Sequence, residues 1–181
     1  MKISVFGLGY VGAVSCGCLP ELGHEVIGVD TNPLKIKMIN DGQSPVVEDG
    51  INELIESAVK AGKLRATADL EYAVLNSDVS LISVATPSNP NYTPNLTAVD
   101  EVIRTIGHVL RKKQGAHVIV LRSTVAPGTT VNRILPLLLS LLPVSALQTI
   151  ALAIEVDALS EQLDAAMVVE LDRAGAIAGI D

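Results

Sequence analysis

Gly7-Leu8-Gly9-Tyr10-Val11-Gly12 follows the run Lys2-Ile3-Ser4-Val5-Phe6 without a break. The hexapeptide spells G-x-G-x-x-G, a pattern that glycine-rich stretches reach by chance. Its setting gives it meaning. An apolar β-rich run precedes it, and a helical stretch from about Tyr10 to Leu22 follows. An acid, Asp30, closes the next β-rich run, Glu25–Val29, eighteen residues beyond Gly12. In such a unit Gly7 permits the tight turn, Gly9 lets backbone approach a diphosphate, and Gly12 lets helix and strand pack closely. The helix adds free N–H groups and the positive end of its dipole. The plainer reading is a merely tight strand-to-helix turn with no ligand.

Asp30 selects the dinucleotide. A carboxylate there accepts the ribose hydroxyls of NAD, whereas the extra phosphate of NADP would be repelled by ~4 kcal/mol per charge pair at about 4 Å and an effective dielectric near 20. NAD is therefore the expected cofactor. Asp30 has an alternative role as a cap on the next helix. Lys35, five residues on, either reaches toward the adenosine side or is simply solvated.

The rest of the chain alternates short β-rich runs with helical patterns, the signature of βαβ units and a parallel sheet. Thr31 or Asn32 caps a helix with Pro33 at its first position, running to about Asn40. Ile51–Ala61 is helical and closed by Gly62; a strand near Lys63–Thr67 and a helix near Leu70–Asn76 follow. Val79–Val84 is an apolar strand, and Pro87–Pro94 a loop. Leu96, Val99, Val102, Ile103, Ile106, Val109 and Leu110 recur at helical spacing. Arg111, Lys112 and Lys113 suit that helix's C-terminal end. Val118–Leu121 is the last clear core strand, and Pro127-Gly128 opens a helix to about Leu142. The expected fold is α/β: a Rossmann-type, doubly wound, mainly parallel sheet with helices on both faces. Residues 1–143 read as the NAD-binding domain. Residues 144–181 read as a divergent Ala/Leu-rich tail, with Thr149–Val156 as a sixth strand and Leu159–Leu171 as a final helix.

Ligands of open α/β sheets bind outside the carboxyl ends of the strands. Small or hydrogen-bonding residues gather at those ends four times: the glycine turn, Asp30, Ala85-Thr86-Pro87-Ser88, and Arg122-Ser123-Thr124. Singly, Thr86 and Thr124 read as helix caps as readily as ligand contacts. Jointly the pattern favours hydroxyls laid along the ribose and nicotinamide portion of the cofactor.

Composition agrees. Hydrophobic residues make up 49% and aromatics 2%, so the core must be aliphatic, as suits a sheet covered on both faces. A net charge of −7 argues against a nucleic-acid partner, which needs a basic footprint. No eighteen-residue apolar window is unbroken, and the N-terminus lacks the form of a signal peptide, so no membrane partner and a cytoplasmic location are expected. Cys16 and Cys18 sit two apart in a helix, and no histidine pair has metal-ligand spacing, so neither a disulfide nor a metal site is expected.

Four stretches together resemble the UDP-glucose/GDP-mannose dehydrogenase family. They are Met1 to Gly12, Gly23-His24-Glu25-Val26-Ile27-Gly28-Val29-Asp30, Ser44-Pro45-Val46-Val47-Glu48, and Arg122-Ser123-Thr124-Val125-Ala126-Pro127-Gly128-Thr129. The likeness covers about residues 1–140, and the last stretch is far more specific than the glycine turn. The resemblance implies NAD contacts at Tyr10, Val11, Asp30, Lys35, Thr86 and Thr124, in company with Gly7, Gly9, Gly12 and Ser123. It implies a nucleotide-sugar substrate, GDP-mannose or UDP-glucose, and a four-electron oxidation of its C6 hydroxyl to the acid through a thioester on a cysteine. It also implies a homodimer built on a central helix.

Two departures qualify this. Family members carry the nucleophile in a further domain, and this sequence reads Ala153-Ile154-Glu155-Val156-Asp157 near where the family has Asn-Pro-Glu-Phe-Leu. No catalytic residue is therefore assigned, and cofactor binding without turnover is expected. The alternative function is a non-catalytic module that binds or senses NAD and assembles with a partner. A β-hydroxyacid-type dehydrogenase would need a catalytic lysine in a following helical domain.

Overall fold

The computed structural model describes residues 1–142, 150–154, 167–171 and 177–179, the last three stretches as backbone alone. It divides into two compact units, Met1–Val84 and Ala85–Asp181.

The first unit holds strands β1 (Lys2–Phe6), β2 (Glu25–Val29), β3 (Leu64–Thr67) and β4 (Val79–Ile82), all parallel, in the order β3-β2-β1-β4. That order is half of the doubly wound arrangement, with the reversal of direction at β1. Ile3, Ser4, Val5 and Phe6 are all buried. Successive strand residues point to opposite faces, so both faces of β1 are covered. The buried polar residue among them is satisfied: Ser4 Oγ lies 3.0 Å from Ser80 Oγ and accepts from Ser77 Oγ at 2.9 Å.

The helices of this unit begin where local chemistry starts them. In α1 (Tyr10–Glu21) the buried side is Gly12, Ala13, Ser15, Cys16, Gly17 and Pro20. Those small residues let α3 (Ile51–Lys60) come close; a side chain added at Gly17 would touch Ile51 and Ile55 at 3.4 Å. In α2 (Pro33–Asn40) Asn32 is the cap, its side chain accepting from the Leu34 N–H at 2.9 Å, and Pro33 stands at the first position, as the sequence pattern requires. Asp69 caps α4 (Leu70–Leu75) through the Tyr72 N–H.

The second unit opens with the loop 85–96 and continues into α5 (Thr97–Leu110), which buries Val99, Val102, Ile103, Ile106, Val109 and Leu110. This is the stripe that the helical spacing marks out. Strand β5 (His117–Leu121) follows, paired parallel with β6 (Ile150–Ile154). Between them the chain is helical from Thr130, first as a π turn (Thr130–Ile134) and then as α6 (Leu135–Leu141). In the wider turn the Leu135 N–H bonds to the Thr130 carbonyl, five residues back, and Pro136, the next residue, has no N–H to offer. Arg133 holds this helix to α5 by a two-pronged ion pair, Nε to Asp100 Oδ1 at 2.9 Å and Nη2 to Oδ2 at 2.6 Å.

Beyond residue 142 the sequence reading needs a correction. β6 lies inside the expected Thr149–Val156. The helix expected over Leu159–Leu171 is contradicted at its end, because Met167–Leu171 is strand β7, antiparallel to β6, and Ile177–Gly179 is β8, antiparallel to β7. Alanine-rich composition suggests helix, but Val168 and Val169 are β-branched and suit a strand with a partner to pair with. Residues 159–166 of the expected helix lie outside the described residues.

Candidate cofactor site

The register of the first unit brings three strand ends level. Phe6 pairs with Val29 on one side and with Ile82 on the other. The next residues along are Gly7, Asp30 and Ser83, and hydrogen bonds tie them together. Gly7 N–H donates to the Val29 carbonyl at 2.8 Å, and Ser83 N–H to the Phe6 carbonyl at 2.8 Å. Leu8 N–H donates to Asp30 Oδ2 at 2.7 Å, and Ser83 Oγ lies 3.1 Å from both the Phe6 and Gly7 carbonyls.

The three glycines of the turn do three different things. Gly7 has φ +95°, and a Cβ there would stand 2.8 Å from the Ser83 carbonyl oxygen. A Cβ on Gly12 would fall 1.7 Å from the Gly7 carbonyl oxygen, a position no atom can occupy. Gly9 differs: its φ is −75°, and nothing lies within 4 Å of where its Cβ would be. Space, not packing, is what glycine gives at that position.

Gly9 is also the N-cap of α1, with no side-chain cap and no acid in the first turn. Among the described residues no acceptor meets the N–H of Gly9, Tyr10, Val11 or Gly12. Four orphan donors at the end of a helix dipole, beside an open glycine, fit an anion brought close to the backbone.

Asp30 is fixed where it can recognise a ribose. Its Oδ2 accepts from Leu8 N–H and lies 3.5 Å from Lys35 Nζ, while Oδ1 accepts from Asn32 N–H at 2.8 Å. Two oxygens offer roughly four lone-pair positions, so the carboxylate retains capacity toward a hydroxyl. The alternative of Asp30 as the cap of α2 does not hold, because Asn32 is the cap; Asp30 instead braces the entry to that helix through the Asn32 N–H. Lys35, in the first turn of α2, is drawn to the same carboxylate. Tyr10 is 56% exposed and Val11 38% exposed. The Tyr10 hydroxyl donates to Glu48, in the loop before α3.

In the second unit, Thr86 Oγ1 donates to the Thr124 carbonyl at 2.9 Å, linking the loop before α5 to the segment after β5. Thr124 is exposed and Ser123 buried. Thr86 and Thr124 are therefore neighbours.

Three contributors escape the sequence reading. Ser83 reads as one more residue of an apolar strand; a lone polar residue ending Leu81-Ile82-Ser83, level with the glycine turn, is the available signal. Leu8, an unspecified x of the motif, is fully buried, and a Cβ on Gly28 would meet its Cδ2 at 2.9 Å. Glu48 lies in one of the four family-like stretches, where spacing gives it no role. Neither cysteine offers a nucleophile at the turn: Cys16 is fully buried, its thiol pushed up to about 12 by burial, and Cys18 stands eight residues into α1 from Tyr10, about 12 Å along the axis. Among the described residues no group of three or more His, Cys, Asp and Glu could hold a metal ion, and no helix is long and apolar enough to cross a membrane.

Residues 1–167 match the model of the UDP-glucose/GDP-mannose dehydrogenase family, NAD binding domain. GDP-mannose 6-dehydrogenase of Pseudomonas syringae pv. syringae is 51% identical over 138 residues, 76% of this chain and 32% of that protein. UDP-glucose 6-dehydrogenase of Haloferax volcanii is 38% identical over 136 residues, 75% of this chain and 31% of that protein. Among solved structures, a ternary complex of GDP-mannose dehydrogenase from Pseudomonas aeruginosa matches with a TM-score of 0.79 and 40% identity, over 97% of this chain and 42% of that one. The chain spans about a third of the length of the curated relatives it matches. Its α/β architecture is the Rossmann type of these dehydrogenases, NAD is the cofactor of the domain it matches, and the chain belongs to the UDP-glucose/GDP-mannose dehydrogenase family.

Proposed function

We propose that residues 1–143 bind NAD as the cofactor-binding part of a cytoplasmic nucleotide-sugar 6-dehydrogenase that oxidises GDP-mannose, or UDP-glucose, to the uronic acid, with residues 144–181 as a divergent tail. The observation that carries it is the uncapped start of α1 at Gly9, open to a ligand and bordered by the fixed Asp30 carboxylate. The N–H groups from Gly9 to Gly12 take the diphosphate, and Gly7 and Gly12 keep the backbone where those groups converge. Asp30 accepts from the adenosine ribose, with Lys35 beside it. Tyr10 and Val11 flank the diphosphate. Thr86, Ser123 and Thr124 line the ribose and nicotinamide portion. When bound, NAD supplies the hydride acceptor for oxidation at the sugar's C6.

With the buried Cys16 thiol held protonated and Cys18 far along α1, no residue of the described region is assigned as a nucleophile. The chain alone is expected to bind cofactor and not turn the sugar over. Pairing of two copies belongs to the same proposal and is read by sedimentation.

Calorimetric titration with NAD, NADH and NADP, beside a GDP-mannose oxidation assay, tests this reading. NAD should bind more tightly than NADP. Asp30→Asn, which removes the charge and keeps the size, should narrow that preference at least about tenfold; the ~4 kcal/mol of an isolated charge pair is reduced by Lys35 and by solvent. Folded protein that ignores both forms of the coenzyme at millimolar concentration overturns the proposal. Binding with an unchanged NAD-to-NADP ratio in Asp30→Asn overturns the role of Asp30.

A further inference from the structure

We propose that Ser83 is a positioning residue for the cofactor turn: its hydroxyl fixes the peptide plane that decides where the free N–H groups of Gly9 to Gly12 stand. The inference rests on the NAD reading above and concerns a residue that the glycine motif does not contain.

One peptide group lies at its centre. The Gly7 carbonyl and the Leu8 N–H belong to the same rigid plane. Its two ends are held by opposite neighbours of β1. Ser83, directly after β4, holds the carbonyl at 3.1 Å; Asp30, directly after β2, holds the N–H at 2.7 Å. The Ser83 proton is shared with the Phe6 carbonyl, also at 3.1 Å, so one hydroxyl spans two successive carbonyls in a three-centre arrangement.

Such a grip is needed here. Gly7 at φ +95° occupies a region glycine shares with several others of similar energy, so the residue type permits the conformation without selecting it. Rotation of the plane would also move the Gly7 oxygen, which already lies against Gly12 so closely that no Cβ fits between them. The start of α1 would have to move with it. A Cβ on Gly12 would meet Ser83 Oγ at 2.8 Å as well, so the hydroxyl packs against the third glycine while bonding the first. Ser83 is thus the β4-side counterpart of Asp30. Asp30 reads a ligand and braces the turn, whereas Ser83 only braces it.

Ser83→Ala and Ser83→Thr, in the full 181-residue chain, separate this from general stabilisation. Hydrogen exchange is followed at Leu8 to Gly12 without nucleotide, and binding is titrated with ADP-ribose, which carries the diphosphate, and with adenosine, which does not. In Ser83→Ala, exchange in the turn should accelerate and ADP-ribose should bind about 5- to 10-fold more weakly, as loss of a hydrogen bond worth about 1 kcal/mol implies. Adenosine should be unaffected, and Ser83→Thr should restore both readouts by keeping the hydroxyl. Unchanged exchange with unchanged ADP-ribose affinity overturns the proposal, and so does an equal loss for adenosine, which would mean mere destabilisation. If the native chain binds no nucleotide while Ser83→Ala still loosens the turn, the bracing role stands and the NAD reading falls.

Discussion

Two segments leave buried strands and enter helices, and they are built from opposite materials. The turn after β1 is made of absent side chains. Gly7 adopts a left-handed φ, Gly12 leaves no room for a Cβ, and α1 begins with no side-chain cap. The segment after β5 is made of hydroxyls. Thr86 Oγ1 bonds the Thr124 carbonyl, Thr129 Oγ1 donates to the Ala126 carbonyl at 2.6 Å, and Thr130 Oγ1 is the buried side-chain polar atom that lacks a partner among the described residues. Its helix starts as a π turn and not as a regular one. Altering the first segment adds atoms where the backbone has no space. Altering the second subtracts one hydrogen bond. The expected penalties differ in kind and in size.

Gly12→Ala should therefore be the most damaging change of the set. Its Cβ would overlap the Gly7 oxygen at 1.7 Å, and the obstacle is backbone, which cannot rotate away as a side chain would. Overpacking of a core typically costs about 1–3 kcal/mol, occasionally more. With the Gly7 backbone as the obstacle, at least ~3 kcal/mol is expected, a fall in Tm of about 10 °C for a chain of this length. A thermal melt within a degree or two of the native protein would mean that helix and strand do not approach as closely as described.

Gly9→Ala sharpens the contrast within the same turn. Its φ of −75° suits alanine, and the added methyl meets nothing within 4 Å. The poorer N-cap costs up to ~1 kcal/mol, while the stiffer unfolded chain returns about 0.4–1 kcal/mol. The melt should hardly move. NAD affinity should fall at least about tenfold, because the methyl occupies the approach of the diphosphate to the backbone. One glycine would then be structural and its neighbour functional, three residues apart. An undiminished affinity in Gly9→Ala would remove the diphosphate from this position.

The same contrast explains what the sequence could disclose. A glycine requirement is local, so the turn, its flanking strand and the acid ending β2 are legible from spacing alone. The helix start at Pro33 and the buried stripe of α5 are likewise legible from caps and periodicity. Ser83 is not, because its role comes from register: only the pairing of Phe6 with Ile82 sets it beside Gly7. The Tyr10–Glu48 bond is hidden for the same reason, since 38 residues separate its ends. β7 runs against the helix expected there because Met167–Leu171 owes its strand form to pairing with β6, and composition weighs only what a segment prefers by itself.

Thr86→Val is the smallest of these effects and tests the hydroxyl-built side. The substitution keeps the shape and removes the bond to the Thr124 carbonyl. Thr124 is exposed, so water can replace the lost donor, and a cost nearer ~0.5 than ~1.5 kcal/mol is expected. Cofactor affinity separates two roles. With its proton committed to the Thr124 carbonyl, the Thr86 hydroxyl faces a ligand only as an acceptor. A contact with a ribose hydroxyl or a carboxamide N–H would then disappear in Thr86→Val and persist in Thr86→Ser. A purely bracing Thr86 would lose affinity only in step with the small change in melting. NADH affinity that drops severalfold in Thr86→Val, with the melt almost still and Thr86→Ser unaffected, would give the second segment a ligand contact of its own. Parallel small losses in both measurements would leave Thr86 as a tie between two loops.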